Sequence, residues 1–143
     1  MADTLGPARL TIRVVGVVEH GDHRGRTIGF PTANLYTEDE AALPADGVYA
    51  GFVRECSPAE HVLGASAISI GTNPTFGAHR RRLEAHILDF DADIYGRSIE
   101  VELLFWMRGM VTFAGVDELV ARIHADVVEA GALTQGITPF IDD

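Results

Sequence analysis

At Phe113 the hydrophobic period of the chain changes, and that change limits the fold more than any other feature. Upstream, apolar residues come in short runs at positions 10–18, 47–54, 62–70, 82–90 and 98–108. The runs are rich in Val, Ile and aromatic residues and are separated by Gly, Pro, Asn and Asp, so they read as strands. Leu35 and Tyr36 offer a further short one. In 82–90 the alternation places Leu83, Ala85, Ile87 and Asp89 on one side, and Glu84, His86, Leu88 and Phe90 on the other. In 98–108 it sets Ile99, Val101, Leu103, Phe105 and Met107 against Glu100, Glu102, Leu104 and Trp106. Over residues 113–130 the spacing becomes helical: Leu119, Ile123 and Val127 lie four apart, with Val116 and Val120 beside them. Asp117 and Glu118 fall in the first turn, where the helix dipole favours acids, and Gly131 is the expected stop. Strands followed by one helix predict a small antiparallel barrel with a C-terminal helix packed on it.

A chain of 143 residues, 47% of them apolar, suffices for one core. A single domain over 1–143, with its core at about 10–130, is therefore expected. No apolar run reaches the roughly 18 residues that span a membrane. The first ten residues lack the basic and apolar regions of a signal peptide. The expectation is a cytoplasmic protein with no membrane partner. Its net charge of −10 argues against nucleic-acid binding, which needs a basic face. Cys56 is the sole cysteine, which excludes an internal disulfide and a cysteine zinc site; it reads as a small apolar filler. All eleven basic residues are arginines. Without lysine there is neither a Walker A loop nor a protein-kinase phosphate site. Any triphosphate must be held by glycine amides, arginine and a metal.

Residues 16–35 carry the ingredients for that. Gly21, Arg24, Gly25 and Arg26 surround a polar turn that runs into Gly29-Phe30-Pro31-Thr32-Ala33-Asn34. Glycines let backbone amides approach a bound group, and arginines suit phosphate oxygens. Thr32 and Asn34 lie two apart, so an extended segment turns both to one side, as hard oxygen ligands for Mg²⁺. Taken alone, a Gly-rich loop with arginines is more often a surface turn. Arg80 to Arg82 form a second basic cluster, which reads equally well as a solvated hairpin tip. Glu84 follows it at the start of a strand, either as a solvated carboxylate or as a general base. His86 shares its face and reads as a packing residue.

The string Gly16-x-x-x-x-Gly21-x-x-x-Gly25-Arg26-x-x-Gly29-Phe30-Pro31-Thr32-Ala33-Asn34-Leu35 resembles the riboflavin kinase family. Leu83-Glu84-Ala85-His86-Ile87-Leu88-Asp89-Phe90, followed by Tyr95-Gly96, resembles its second signature. The likeness covers roughly residues 10–130, with support from Gly47-Val48-Tyr49-Ala50-Gly51 and Ser69-Ile70-Gly71-Thr72-Asn73-Pro74-Thr75-Phe76-Gly77. It implies a six-stranded antiparallel Greek-key barrel with a C-terminal helix. It implies Mg²⁺-dependent transfer of the ATP γ-phosphoryl group to the 5′-hydroxyl of riboflavin, giving FMN and ADP. By position, Gly21, Arg24, Gly25, Arg26 and Thr32 are implied for the nucleotide, and Thr32 and Asn34 for the metal. Glu84 is implied as the base, and Asn73, Arg108 and Phe113 for the flavin side. The partners are then ATP and riboflavin, the protein is expected to be a monomer, and no adenylyltransferase domain that makes FAD is expected in this chain. Met110 and Thr112 stand where the family usually carries a glutamate and often a lysine. That departure keeps two other readings open: a flavin- or nucleotide-binding module without turnover, and a kinase of another small alcohol.

Overall fold

Alternation along the strands sorts the apolar side chains between two cores. The computed structural model describes residues 9–10, 12–19, 32–35, 43–57, 60–72, 81–90 and 92–141. In them, β1 (Ile12–Glu19), β2 (Ala33–Leu35), β3 (Gly47–Ser57), β4 (His61–Gly71), β5 (Arg82–Ile87) and β6 (Ser98–Arg108) precede helix α1 (Val116–Thr134). The strands close into a barrel in the order β1-β2-β5-β4-β3-β6, with every neighbouring pair antiparallel. Val14, Val18, Leu35, Val53, Ile68, Ile70, Leu83, Ala85, Ile99, Val101 and Leu103 fill its interior. A second cluster outside the barrel joins Ala50, Phe52, Ala67, Leu104 and Phe105 to Ala130 of α1 and to Phe140. The expected barrel with one C-terminal helix is what the chain forms, and β2 pairs β5 rather than its sequence neighbour β3.

The alternation expected for β6 breaks at Leu104. Gly51 of β3 opposes Leu103 while Ala50 opposes Phe105, so Leu104 is an extra residue in β6. Such a bulge shifts the facing of everything beyond it. Phe105 therefore joins the outer cluster instead of following Leu103 inward. Trp106 comes to lie opposite Tyr49, edge to face at 5.3 Å between ring centroids.

The helix also ends later than its sequence suggests. It runs through Gly131 to Thr134, whose hydroxyl donates to the Ala130 carbonyl at 2.8 Å. A Cβ at Gly131 would lie 3.3 Å from Leu88 Cδ2, so the leucine would have to give by a few tenths of an ångström. The chain turns instead at Gly136, in the left-handed region at φ +80°. β5 likewise stops at Ile87 rather than running to 90, because Leu88 and Asp89 turn, with Asp89 at φ +53°. Beyond the helix, Phe140 docks on the outer face of the barrel. Its N–H donates to Glu102 Oε1 at 2.9 Å, and the Arg54 guanidinium lies 4.5 Å above its ring centroid. Arg13 Nη2 donates to the Ile141 carbonyl at 2.8 Å. Cys56 does not fill a core: β3 runs on past Arg54, where alternation buries Glu55 against Arg97 and turns Cys56 to solvent. Among the described residues no helix is long and apolar enough to cross a membrane.

Candidate active site

Leu83 and Ala85 are held in the barrel interior, so Glu84 between them points outward. The same logic applies to Asn34, between the buried Ala33 and Leu35. The register then brings the two together. Asn34 of β2 is the direct partner of Glu84, and Glu84 is the direct partner of Ser69 on β4. Directly opposed residues of antiparallel strands share a face, with Cβ atoms roughly 5 Å apart. An amide, a carboxylate and a hydroxyl thus form one row across three hydrogen-bonded strands. Thr32 stands just before β2, half-buried.

Arg82 is buried on the same face as Glu84 and donates from Nε to Glu84 Oε1 at 2.6 Å, with Nη2 2.5 Å from the same oxygen. Arg81 donates from Nε to Asp46 Oδ1 at 2.7 Å and from Nη2 to the Pro44 carbonyl at 2.6 Å. The solvated-tip reading therefore fails for Arg82, which is buried against Glu84, while Arg81 stays half-buried and tied to Asp46 and Pro44. A charge two residues from its opposite on a strand was the available signal. Arg80 lies outside the described residues.

Arg108 is the last residue of β6, where it opposes Val48 of β3. Its Nε and Nη2 donate to Asp126 Oδ1 and Oδ2 of α1 at 3.0 and 2.7 Å, and its Nη1 donates to the Gly109 carbonyl at 2.9 Å. This pair staples the connection 109–115 to the helix. Within that connection, Met110 Sδ accepts from the Ser69 hydroxyl at 3.7 Å, and Phe113 is half-buried. The departure from the family pattern at Met110 thus sits next to the row that holds Glu84. Asp126 is the neighbour of these residues that sequence reasoning did not name; Ser69 entered only within a longer string and Arg82 only within a basic cluster.

His86 is buried between the barrel and α1. Burial pushes its imidazole below the ordinary range, against the opposing pull of the Glu84 and Asp126 carboxylates and a hydrogen bond at the Ala67 backbone. The unfolded chain then binds a proton at this residue more readily than the folded one. Stability is full above a pH of about 6.5 and is lost as the pH falls from there toward the folded-state value, at up to about 1.4 kcal/mol per pH unit. His86→Gln is expected to shrink the drop in melting temperature between about pH 7.5 and pH 5.5. An unchanged drop would acquit the imidazole.

Hard oxygens fit a divalent cation that keeps several waters, and the donors here are of that kind: Thr32, Asn34 and Glu84. Among the described residues no group of three or more His, Cys, Asp or Glu could hold a metal. The register sets Asn34 opposite Glu84 and, on the far side of Ser69, Arg108 opposite Val48, which is itself the partner of Ser69. Gly21, Arg24, Gly25, Arg26 and Asn73 lie outside the described residues.

Comparison with known proteins bears on the whole described chain. The Flavokinase (riboflavin kinase) family model matches residues 8–134. The bifunctional riboflavin kinase/FMN adenylyltransferase of Escherichia coli K12 is 44% identical over 117 residues, which are 82% of this chain and 36% of that protein. Its Bacillus subtilis counterpart is 38% identical over 120 residues, 82% of this chain and 37% of that one. The chain therefore spans about a third of the length of the curated relatives it matches. The crystal structure of riboflavin kinase from Trypanosoma brucei superposes with a TM-score of 0.66 at 24% identity, over 87% of this chain and 80% of that one, a likeness of fold. With a family match that extends from the first strand to the end of the helix, the chain belongs to the riboflavin kinase family.

Proposed function

We propose that this chain catalyses transfer of the γ-phosphoryl group of ATP to the ribityl 5′-hydroxyl of riboflavin, giving FMN and ADP. The observation that carries this is the register of Asn34 opposite Glu84, which sets a metal-type donor beside a carboxylate on a rigid surface. Phosphoryl transfer asks for charge neutralisation, alignment and a proton acceptor, with little covalent work for the protein. Thr32 and Asn34 would hold Mg²⁺, which when bound neutralises phosphate charge. Gly21, Arg24, Gly25 and Arg26 would wrap the nucleotide without a lysine. Glu84 accepts the alcohol proton as the new O–P bond forms. Asn73, Arg108 and Phe113 frame the flavin, with Arg108 fixing the wall through Asp126. The unit works as a monomer in the cytoplasm, where ATP is available.

The test is direct. Purified protein with Mg-ATP and riboflavin is expected to yield FMN and ADP in equal amounts, and omission of the metal is expected to abolish both. Riboflavin binding without product would favour a non-catalytic flavin-binding module. ATP consumption only with other alcohols would favour an altered substrate, to which the apolar Met110 beside Ser69 gives a physical basis.

A further inference from the structure

The pair between Arg82 and Glu84 is one-sided. An arginine facing a carboxylate commonly engages both oxygens through two parallel bonds. Here Nε and Nη2 both converge on Oε1, at 2.6 and 2.5 Å. Glu84 Oε2 has no hydrogen-bond or ion-pair partner among the described residues. Arg82 is 5% exposed, and the residue directly opposite it on β4 is Gly71, which has no side chain to contest the space. A buried guanidinium on a barrel strand is a rigid fixture, unlike an arginine at a solvated tip. With Glu84 as the base, a reading on which this inference rests, we propose that Arg82 is a positioning residue: it clamps Oε1 and so presents Oε2 as the oxygen that receives the alcohol proton. The proton moves from the 5′-hydroxyl to Oε2 as the hydroxyl oxygen bonds to the γ-phosphorus and the bond from that phosphorus to the ADP oxygen breaks. Fixing the carboxylate beforehand removes a rotamer search from the barrier.

The experiment compares Arg82→Ala, Arg82→Lys and Glu84→Gln by steady-state kinetics, thermal melting and rescue with millimolar guanidinium. Arg82→Ala is expected to lose about 100-fold in kcat, the scale of a misplaced catalytic group, with both KM values held within about twofold. Guanidinium is expected to restore part of that kcat, and none in Glu84→Gln. Arg82→Lys, which keeps the charge but not the planar fork, is expected to fall by about tenfold at unchanged KM. If Arg82→Ala does not fold, Arg82→Lys decides alone, and wild-type kcat in it overturns the proposal. Loss of kcat in Arg82→Ala with no rescue and a parallel rise in KM also overturns it. Wild-type turnover in Glu84→Gln would instead remove the base itself, whereas a dead Glu84→Gln beside fully active Arg82 variants removes only the clamp.

Discussion

Glu84→Gln is expected to lower FMN formation by about 10²–10⁴-fold, the range that a positioned general base contributes. Glutamine has the size and shape of glutamate, and its amide oxygen can still accept from Arg82. What it cannot do is take a proton. The surroundings should hold still, because β5 is hydrogen-bonded on both sides, to β2 through Asn34 and to β4 through Ser69. The loss should therefore appear in kcat at saturating Mg-ATP and riboflavin. Nucleotide affinity by calorimetry should stay close to wild type, because the residues proposed to hold the phosphates are other ones. The charge lost at position 84 leaves Arg82 with a neutral partner, and some fall in melting temperature should accompany the kinetic effect. A variant that turns over within tenfold of wild type would take Glu84 out of the chemistry and leave the alcohol to lose its proton elsewhere.

The two halves of this site were legible separately, and their meeting was not. Alternation in 82–90 is enough to turn Glu84 away from Leu83 and Ala85, and the string ending at Asn34 marks a metal-type donor. That Asn34 lies opposite Glu84 depends on β2 pairing β5 across the intervening β3 and β4. No local period encodes a pairing at that separation. Arg82 stayed undecided for a related reason: a run of arginines reads equally well as a solvated tip until the strand face that buries it is known. Gly131 is a local stop signal that the fold overrides, since the helix runs through it, facing Leu88, to Thr134. The bulge at Leu104 has no signature in β6 itself. Its trace is on the partner strand, at Gly51.

Gly51→Ala tests that trace and is expected to be the most damaging small change in the barrel. A Cβ at position 51 would lie 1.7 Å from the Glu102 carbonyl oxygen, 2.8 Å from its carbonyl carbon and 3.1 Å from Ile68 Cδ1. The first two atoms are backbone of the paired strand and cannot swing aside. Relief requires β3 and β6 to part at the bulge, where Gly51 opposes Leu103. Moving Glu102 also disturbs the tail, because its side chain takes the Phe140 N–H on one oxygen and Arg13 on the other. Overpacking a core costs about 1–3 kcal/mol when side chains can adjust. Here they cannot, so a loss of about 3 kcal/mol or more follows, against about 5–15 kcal/mol for a whole domain. The melting temperature should fall by about 10 °C or more. Gly109→Ala is the matched control, because nothing lies within 4 Å of a Cβ built there. It should melt near wild type while Gly51→Ala melts far lower or fails to fold. Equal melting of the two would mean that β3 and β6 do not approach at the bulge as closely as the register requires. The facing of Phe105 and Trp106 would then have to be reassigned with it.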